Sequence, residues 1–493
     1  MSLTTKTVQG VGWSAISQVV HLLLQLGITA VLARLLSPND FGLIAMVVVF
    51  TNFVSIFRDF GLTAALIQRK GITEEHLSSG FWINILTGLI LAIILVALAP
   101  AIAHFYNEGR LVLIVMILAS TFFISSFGIV QAALFTKELK FKLLSVVEIL
   151  GVAVPGIIAI GLAFNGFGVW SLVWQHVISS FVIVILLWVL SGWRPKFLFR
   201  WQRIKELLGF GLNLTGFNFV NYFNRNLDNL LIGKLLGSAP LGFYDLAYRL
   251  LLFPLGNISS VLGRVMFPAL SSIQGDKAKV RRAYLQATRY IAVFTFPMMV
   301  GLFAVTPQFI RTIFGPQWER SIFLVQVLAL VGLIQSIETT TGWLYQSQGR
   351  TDTMFRWGLF SLFVVATAFV LGLRWNIEGV AVAYAAASFL LTYPCFAIPF
   401  RFIDLKFRHF IKQFNSIFLA SITMGGFVLG VRLFLKDALG AGDLVTLMSS
   451  VAVGIVSYGV LLFVLDRMIY REVFQLLRQL RPIHPADALI VEA

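Results

Sequence analysis

The chain has 493 residues, of which 58% are hydrophobic and 12% charged, against about 45–50% and about 25% in an ordinary soluble domain. Its apolar residues collect in runs of roughly twenty with almost no charge inside them, the length a helix needs to cross a bilayer, which excludes a soluble multidomain protein. The formal net charge of +16 sits mostly in short loops between those runs, so it reads as a topology signal, and no nucleic acid is expected as a partner.

In chain order, membrane helices are expected at 12–32, 41–64, 80–103, 111–134, 144–164, 168–190, 207–232, 241–265, 284–305, 321–346, 355–372, 378–399, 413–431 and 443–465, fourteen in all. The first follows a polar stretch, Met1 to Gly10, without a small-residue cleavage pattern, and reads as an uncleaved helix. Backbone groups cannot stay unpaired in hydrocarbon, and runs of this length without strict alternation select helices over barrel strands. The expected class is therefore an all-α polytopic membrane protein. The single cysteine, Cys395, lies inside an apolar run and has no intrachain partner for a disulfide.

The loops test this reading independently. With the N-terminus placed in the cytoplasm, the inside segments carry 25 of the 38 Lys and Arg residues and the outside loops 8, and the other 5 lie within spans. That bias holds loop after loop and assigns both termini to the cytoplasm.

The segment Leu32 to Gly42, containing Ser37-Pro38-Asn39-Asp40-Phe41-Gly42, returns 200 residues later as Ile232 to Gly242. Phe167-Gly168-Val169 near the start of helix six is echoed by Glu378-Gly379-Val380 near the start of helix twelve. Order and offset predict two six-helix repeats, lobes at 1–200 and 201–406, then two additional helices in 407–466 and a cytoplasmic tail at 467–493. Six is even, so the repeats are parallel, related by a pseudo-two-fold axis along the membrane normal, an architecture suited to a cavity that opens to alternate sides.

Charges inside spans are costly and face the bundle interior or water. In helix seven, Asn218, Asn221, Arg225 and Asp228 recur at three- or four-residue steps and share one face. Arg225 can pair with Asp228 at i,i+3, and Asp245 with Arg249 at i,i+4 in helix eight. Arg58 ends helix two and Arg264 lies near the end of helix eight, in equivalent places of the repeats. Arginine's fixed donor fork suits phosphate or pyrophosphate oxygens, and asparagines beside it suit sugar hydroxyls. These eight residues are the candidate substrate-binding set, with bundle-holding ion pairs and interface anchoring as the competing roles. Asp59, Glu148 and Glu338 are candidates for ion coupling. Arg289 reads as an anchor at the start of helix nine. His21 and His176 lack companions at metal-ligand spacing, so no metal is expected. No Gly-rich loop followed by Lys-Ser or Lys-Thr is present for ATP-driven pumping.

Gly12-Trp13, Ala33-Arg34-Leu35-Leu36-Ser37-Pro38-Asn39-Asp40-Phe41-Gly42-Leu43, Asp59-Phe60-Gly61-Leu62, Asn229-Leu230-Leu231-Ile232-Gly233 and Leu241-Gly242-Phe243-Tyr244, in that order, resemble the polysaccharide-biosynthesis flippases of the colanic-acid and O-antigen exporter type, within the multidrug, oligosaccharidyl-lipid and polysaccharide exporter superfamily. The resemblance spans residues 1–465. It implies a V-shaped pair of six-helix lobes that moves undecaprenyl-pyrophosphate-linked oligosaccharide from the cytoplasmic to the periplasmic leaflet of the bacterial inner membrane. It also implies a polysaccharide polymerase and glycosyltransferases as partners in function, beside the membrane lipids. No cofactor and no covalent chemistry are expected, and proton or sodium coupling is left open. The residues themselves also admit a multidrug or metabolite cation antiporter, a lipid II flippase, or a non-transporting scaffold of a polysaccharide synthesis complex. The intraspan acids Asp59, Glu148, Asp228, Asp245 and Glu338 balance the five intraspan arginines one for one.

Overall fold

The computed structural model describes residues 3–58, 62, 63, 66, 71–205, 222, 226–254, 256 and 260–472. Among them, every regular element is a helix. Ten helical stretches are long and apolar enough to cross a bilayer, or eleven if Leu111–Ser126 and Ile129–Lys137, bent by 45°, count as one further span. One stretch, Thr351–Ile403, contains two helices, Thr351–Gly372 and Asn376–Phe400, that pack on each other across a short turn at Leu373–Trp375. The expected spans 207–232 and 241–265 lie partly outside the described residues. Large apolar side chains stand outward along the helices: Ile157, Phe363, Leu390 and Ile455 are each 68–72% exposed. Such a surface is stable only against lipid.

The chain divides into two compact units, Met1–Gly242 and Phe243–Ala493. The first is built on α1 (Leu3–Leu35), α2 (Pro38–Ser55), α3 (Glu74–Tyr106), α4 (Leu111–Ser126), α5 (Ile129–Lys137), α6 (Phe141–Phe164) and α7 (Val169–Leu190). Here α1 packs on α6, α6 on α7, α3 on α4 and α4 on α7. The start of α2 follows directly from sequence. Ser37 is extended and caps the helix, Pro38 occupies a first-turn position where its missing N–H costs nothing, and Asp40 closes the capping box. The Ser37 hydroxyl donates to the Asp40 carboxylate at 2.6 Å, and the Ser37 N–H does so at 2.9 Å. Phe41 through Val47 are then all buried, so α2 is a core helix rather than an amphipathic one.

In the second unit α8 (Ser238–Pro254) contributes from Phe243 onward, followed by α9 (Ser260–Ser272), α10 (Lys277–Phe309), α11 (Ser321–Glu338), α12 (Thr341–Ser347), α13 (Thr351–Gly372), α14 (Asn376–Phe400), α15 (Phe407–Lys412), α16 (Asn415–Leu433) and α17 (Asp443–Leu465). Helix α10 is its spine, packed on α11, α16 and α17. Asp276 caps it by accepting the Ala278 and Lys279 N–H groups, each at 3.0 Å. Aromatic side chains cement one end of the unit, where Tyr284, Phe396, Phe400 and Phe414 surround Phe410 with ring centroids 4.8–6.0 Å apart.

Candidate functional site

Within the first unit the two copies of the repeated motif meet. Residues 226–235 are helical, and Tyr222 just before them donates its hydroxyl to the Val49 carbonyl of α2 while its ring lies 5.5 Å from that of Phe53. The Asn226 amide donates to the Tyr222 carbonyl at 3.0 Å. Beyond this helix, Gly237 at φ +95° makes the turn into α8 that Ser37 makes into α2. Ser238 then donates its hydroxyl to the Asn39 side chain. A methyl at Gly42 would overlap the Ser238 carbonyl and stand 3.1 Å from the Gly242 nitrogen, and one at Gly242 would overlap the Pro38 carbonyl and stand 3.2 Å from the Gly42 nitrogen. The contact is reciprocal, as a local two-fold relation requires, and only glycine allows it.

Asp228 is 3% exposed, and its carboxylate accepts the Asn229 N–H at 2.8 Å. Asn218, Asn221 and Arg225, which the periodicity places on the same face, lie outside the described residues, as does Asp59. Arg58 is described: it sits in the turn that ends α2, with its N–H donated to the Ser55 carbonyl at 3.1 Å and its side chain exposed. Glu148 is exposed on α6.

In the second unit the expected i,i+4 pair forms. Arg249 Nε meets the Asp245 carboxylate at 2.7 Å, with the carboxylate side chain 13% exposed and the arginine 49% exposed. The mostly buried acid therefore holds the stem end of the guanidinium of a half-exposed arginine, and such a side chain can offer its remaining donors to an anion. Arg264 lies in α9, and its side chain is outside what the structure describes. Glu338 ends α11, where one carboxylate oxygen is buried with no hydrogen-bond partner among the described residues. The sequence thus named groups that the structure distributes over both units, two of them joined as a pair.

Arg289, expected as an interface anchor, instead binds Asp466 directly. Asp466 also accepts the Ser416 hydroxyl at 2.8 Å and the Ile469 N–H at 3.2 Å. Burial alone would raise this carboxyl, and Ser416, Ile469 and Arg289 together hold it below the ordinary range. Sequence periodicity could not find this cluster because Arg289 and Asp466 are 177 residues apart. Gln131 was also missed: it is fully buried, as Asn84 nearly is, and both amide ends of each lack a partner among the described residues. A cavity of about 300 Å³ opens among Phe135, Glu138, Lys140, Gly192 and Trp193 and contains none of the expected site residues. Among the described residues no group of three or more His, Cys, Asp or Glu side chains could hold a metal ion.

An all-helical polytopic chain that carries an Asp–Arg pair and a carboxylate oxygen buried without a partner among the described residues has the intramembrane polar groups that mark substrate or ion pathways. Residues 31–323 match the polysaccharide biosynthesis protein family, and the chain belongs to it. It is 30% identical over 447 residues to the teichuronic acid biosynthesis protein TuaB of Bacillus subtilis, covering 88% of this chain and 90% of that one. It is 27% identical over 492 residues to the succinoglycan biosynthesis transport protein ExoT of Rhizobium meliloti, with 98% of each chain covered. Its fold is similar to that of the lipid II flippase MurJ in an inward closed conformation, with a TM-score of 0.74 at 17% identity over 94% of this chain and 99% of that one. The protein is accordingly a multi-pass protein of the inner membrane.

Proposed function

We propose that the protein is a flippase that carries undecaprenyl-pyrophosphate-linked oligosaccharide from the cytoplasmic to the periplasmic leaflet, supplying exopolysaccharide or lipopolysaccharide assembly. The observation that carries this reading is the Asp245–Arg249 pair in a chain of this family: at 2.7 Å a mostly buried carboxylate holds the Nε of a half-exposed arginine. A pyrophosphate offers several charged oxygens on tetrahedral phosphorus, two of which a planar guanidinium fork can engage at once. The names of TuaB and ExoT point to polysaccharide assembly and its transport, and the MurJ-like fold supplies a frame compatible with moving a lipid-linked sugar.

In this reading Arg58, Arg225, Arg249 and Arg264 draw the pyrophosphate, Asn218 and Asn221 meet sugar hydroxyls, and Asp228 and Asp245 orient the arginines. The prenyl tail stays in lipid. Both termini lie in the cytoplasm, an orientation that the loop-charge bias supports. Energy comes from a proton or sodium gradient, with Asp59, Glu148 and Glu338 as the carboxylates able to carry the coupling ion; a unit charge crossing 100 mV is worth about 2.3 kcal/mol.

The test is genetic and chemical together. In a strain lacking the gene, lipid-linked oligosaccharide should accumulate in the cytoplasmic leaflet and surface polysaccharide should be lost. The wild-type gene should reverse both and Arg249→Ala should not, at equal membrane abundance. Full export with Arg249→Ala overturns the role given to that pair, and unchanged lipid-linked intermediates in the deletion strain overturn the function.

A further inference from the structure

We propose that residues 192–205 form a strap lying in the membrane–water interface that binds the headgroups of anionic phospholipids. The segment leaves α7 after Leu190, runs without regular structure to Arg200, and becomes helical at 201–205. It is nevertheless held rigidly against the first turns of α3. Trp193 Nε1 donates to the Glu74 carboxylate at 3.0 Å, the Lys196 N–H to Ser78 at 3.1 Å, Trp82 Nε1 to the Lys196 carbonyl at 2.9 Å, the Arg200 N–H to Ser79 at 2.9 Å, and Arg203 to Glu75 at 3.1 Å.

Those bonds fix its depth. Its attachments to α3 fall between Glu74, where a membrane span begins, and Trp82, eight residues along, about 12 Å at the rise of an α-helix. The strap therefore lies where the headgroups of one leaflet meet the acyl chains. Its composition suits that place. Phe197 is 93% exposed, and Phe199 and Trp201 are each 51% exposed; Phe197 stacks on Trp82 at 5.3 Å. Five cations, Arg194, Lys196, Arg200, Arg203 and Lys205, share these fourteen residues with no acid among them.

Exposed aromatic rings in a rigid backbone are unfavourable in water and favourable at the headgroup level, where their apolar faces meet acyl carbon. The strap's five cations outnumber the two acids they lie against, Glu74 and Glu75, the latter also 3.8 Å from Arg200, and this positive excess is complementary to phosphatidylglycerol or cardiolipin, each cation near an anionic surface raising affinity about five-fold. The loop-charge bias assigns this face to the cytoplasmic leaflet. The cargo and its site play no part in the argument, so the proposal stands apart from the flippase reading.

Cys395 is the chain's single cysteine and is buried, so Gln202→Cys in a Cys395→Ser background gives one reactive thiol on the strap. A nitroxide attached there, in the full-length protein reconstituted into phosphatidylcholine vesicles with and without phosphatidylglycerol, reports depth by its relative accessibility to oxygen and to an aqueous nickel reagent. The expected result is a label at the headgroup–acyl boundary that moves deeper with phosphatidylglycerol. Lys196→Gln and Lys205→Gln should each weaken the phosphatidylglycerol titration about five-fold, and Lys205→Arg should leave it unchanged. A label equally exposed to water in both vesicles, as an acidic protein partner for the strap would require, overturns the proposal. So does a depth that neither lipid charge nor the lysine substitutions alter.

Discussion

Gly42 and Gly242 face each other across a contact so close that a methyl on either would overlap the carbonyl of the residue four positions before the other, Ser238 or Pro38. The two glycines stand at the same place in the two copies of one motif, so a single sequence feature both starts a helix and lets two such helix starts pack backbone to backbone.

Either glycine replaced by alanine should destabilise the protein by about 1–3 kcal/mol, the usual cost of overpacking. Gly27→Ala, at a helical position where a methyl meets nothing within 4 Å, is the matched control and should be neutral or slightly stabilising. Thermal unfolding of the purified protein in detergent checks both. Equal midpoints for Gly42→Ala and Gly27→Ala would show that the helix starts part without cost.

The Arg289–Asp466 pair should stabilise the second unit. Arg289→Ala leaves the partly buried carboxylate without its cation and should cost about 3 kcal/mol, the lower end for a broken buried pair. Because the folded carboxyl lies below its reference value of 3.8, its contribution is fully present above that value and is lost as the pH falls through the lower folded one. Unfolding midpoints measured down through acid pH should therefore fall more steeply for the wild type than for Asp466→Asn.

Asp245 and Arg249 should separate by function. Arg249→Ala removes the anion-binding fork, and Asp245→Ala leaves the fork in place but unheld. Surface polysaccharide should be abolished by the first and reduced by the second, with membrane abundance close to wild type in both. Arg249→Lys should restore little, since a point charge does not reproduce a planar fork.

Glu338 has an oxygen buried without a partner among the described residues. Glu338→Gln keeps the side chain's shape without its exchangeable proton and should preserve the fold while removing any acceleration of flipping by an imposed proton gradient. Gradient dependence undiminished in Glu338→Gln would assign coupling elsewhere.

How much of this was written in the sequence depends on range. Hydropathy marked the long apolar helices among the described residues because the bilayer fixes their length, whereas it set the start of helix two at 41 and not at Pro38, where the Ser37–Asp40 capping box places it. The i,i+4 pair of Asp245 and Arg249 was legible because its members are close in the chain. The Gly42–Gly242 contact was not, although the repeat was: self-similarity says that two segments are alike, not that they touch. Arg289 read as an anchor because its partner is 177 residues away. Gln131 went unseen because a lone amide has no periodic signature.

The most direct measurement is translocation of labelled undecaprenyl-pyrophosphate oligosaccharide in proteoliposomes holding the purified protein, beside Arg249→Ala and Arg225→Ala. The account predicts transfer between leaflets that requires the protein and is lost with either arginine. A monodisperse wild-type preparation that moves none of several such glycolipids, under imposed proton and sodium gradients of either direction, would contradict it.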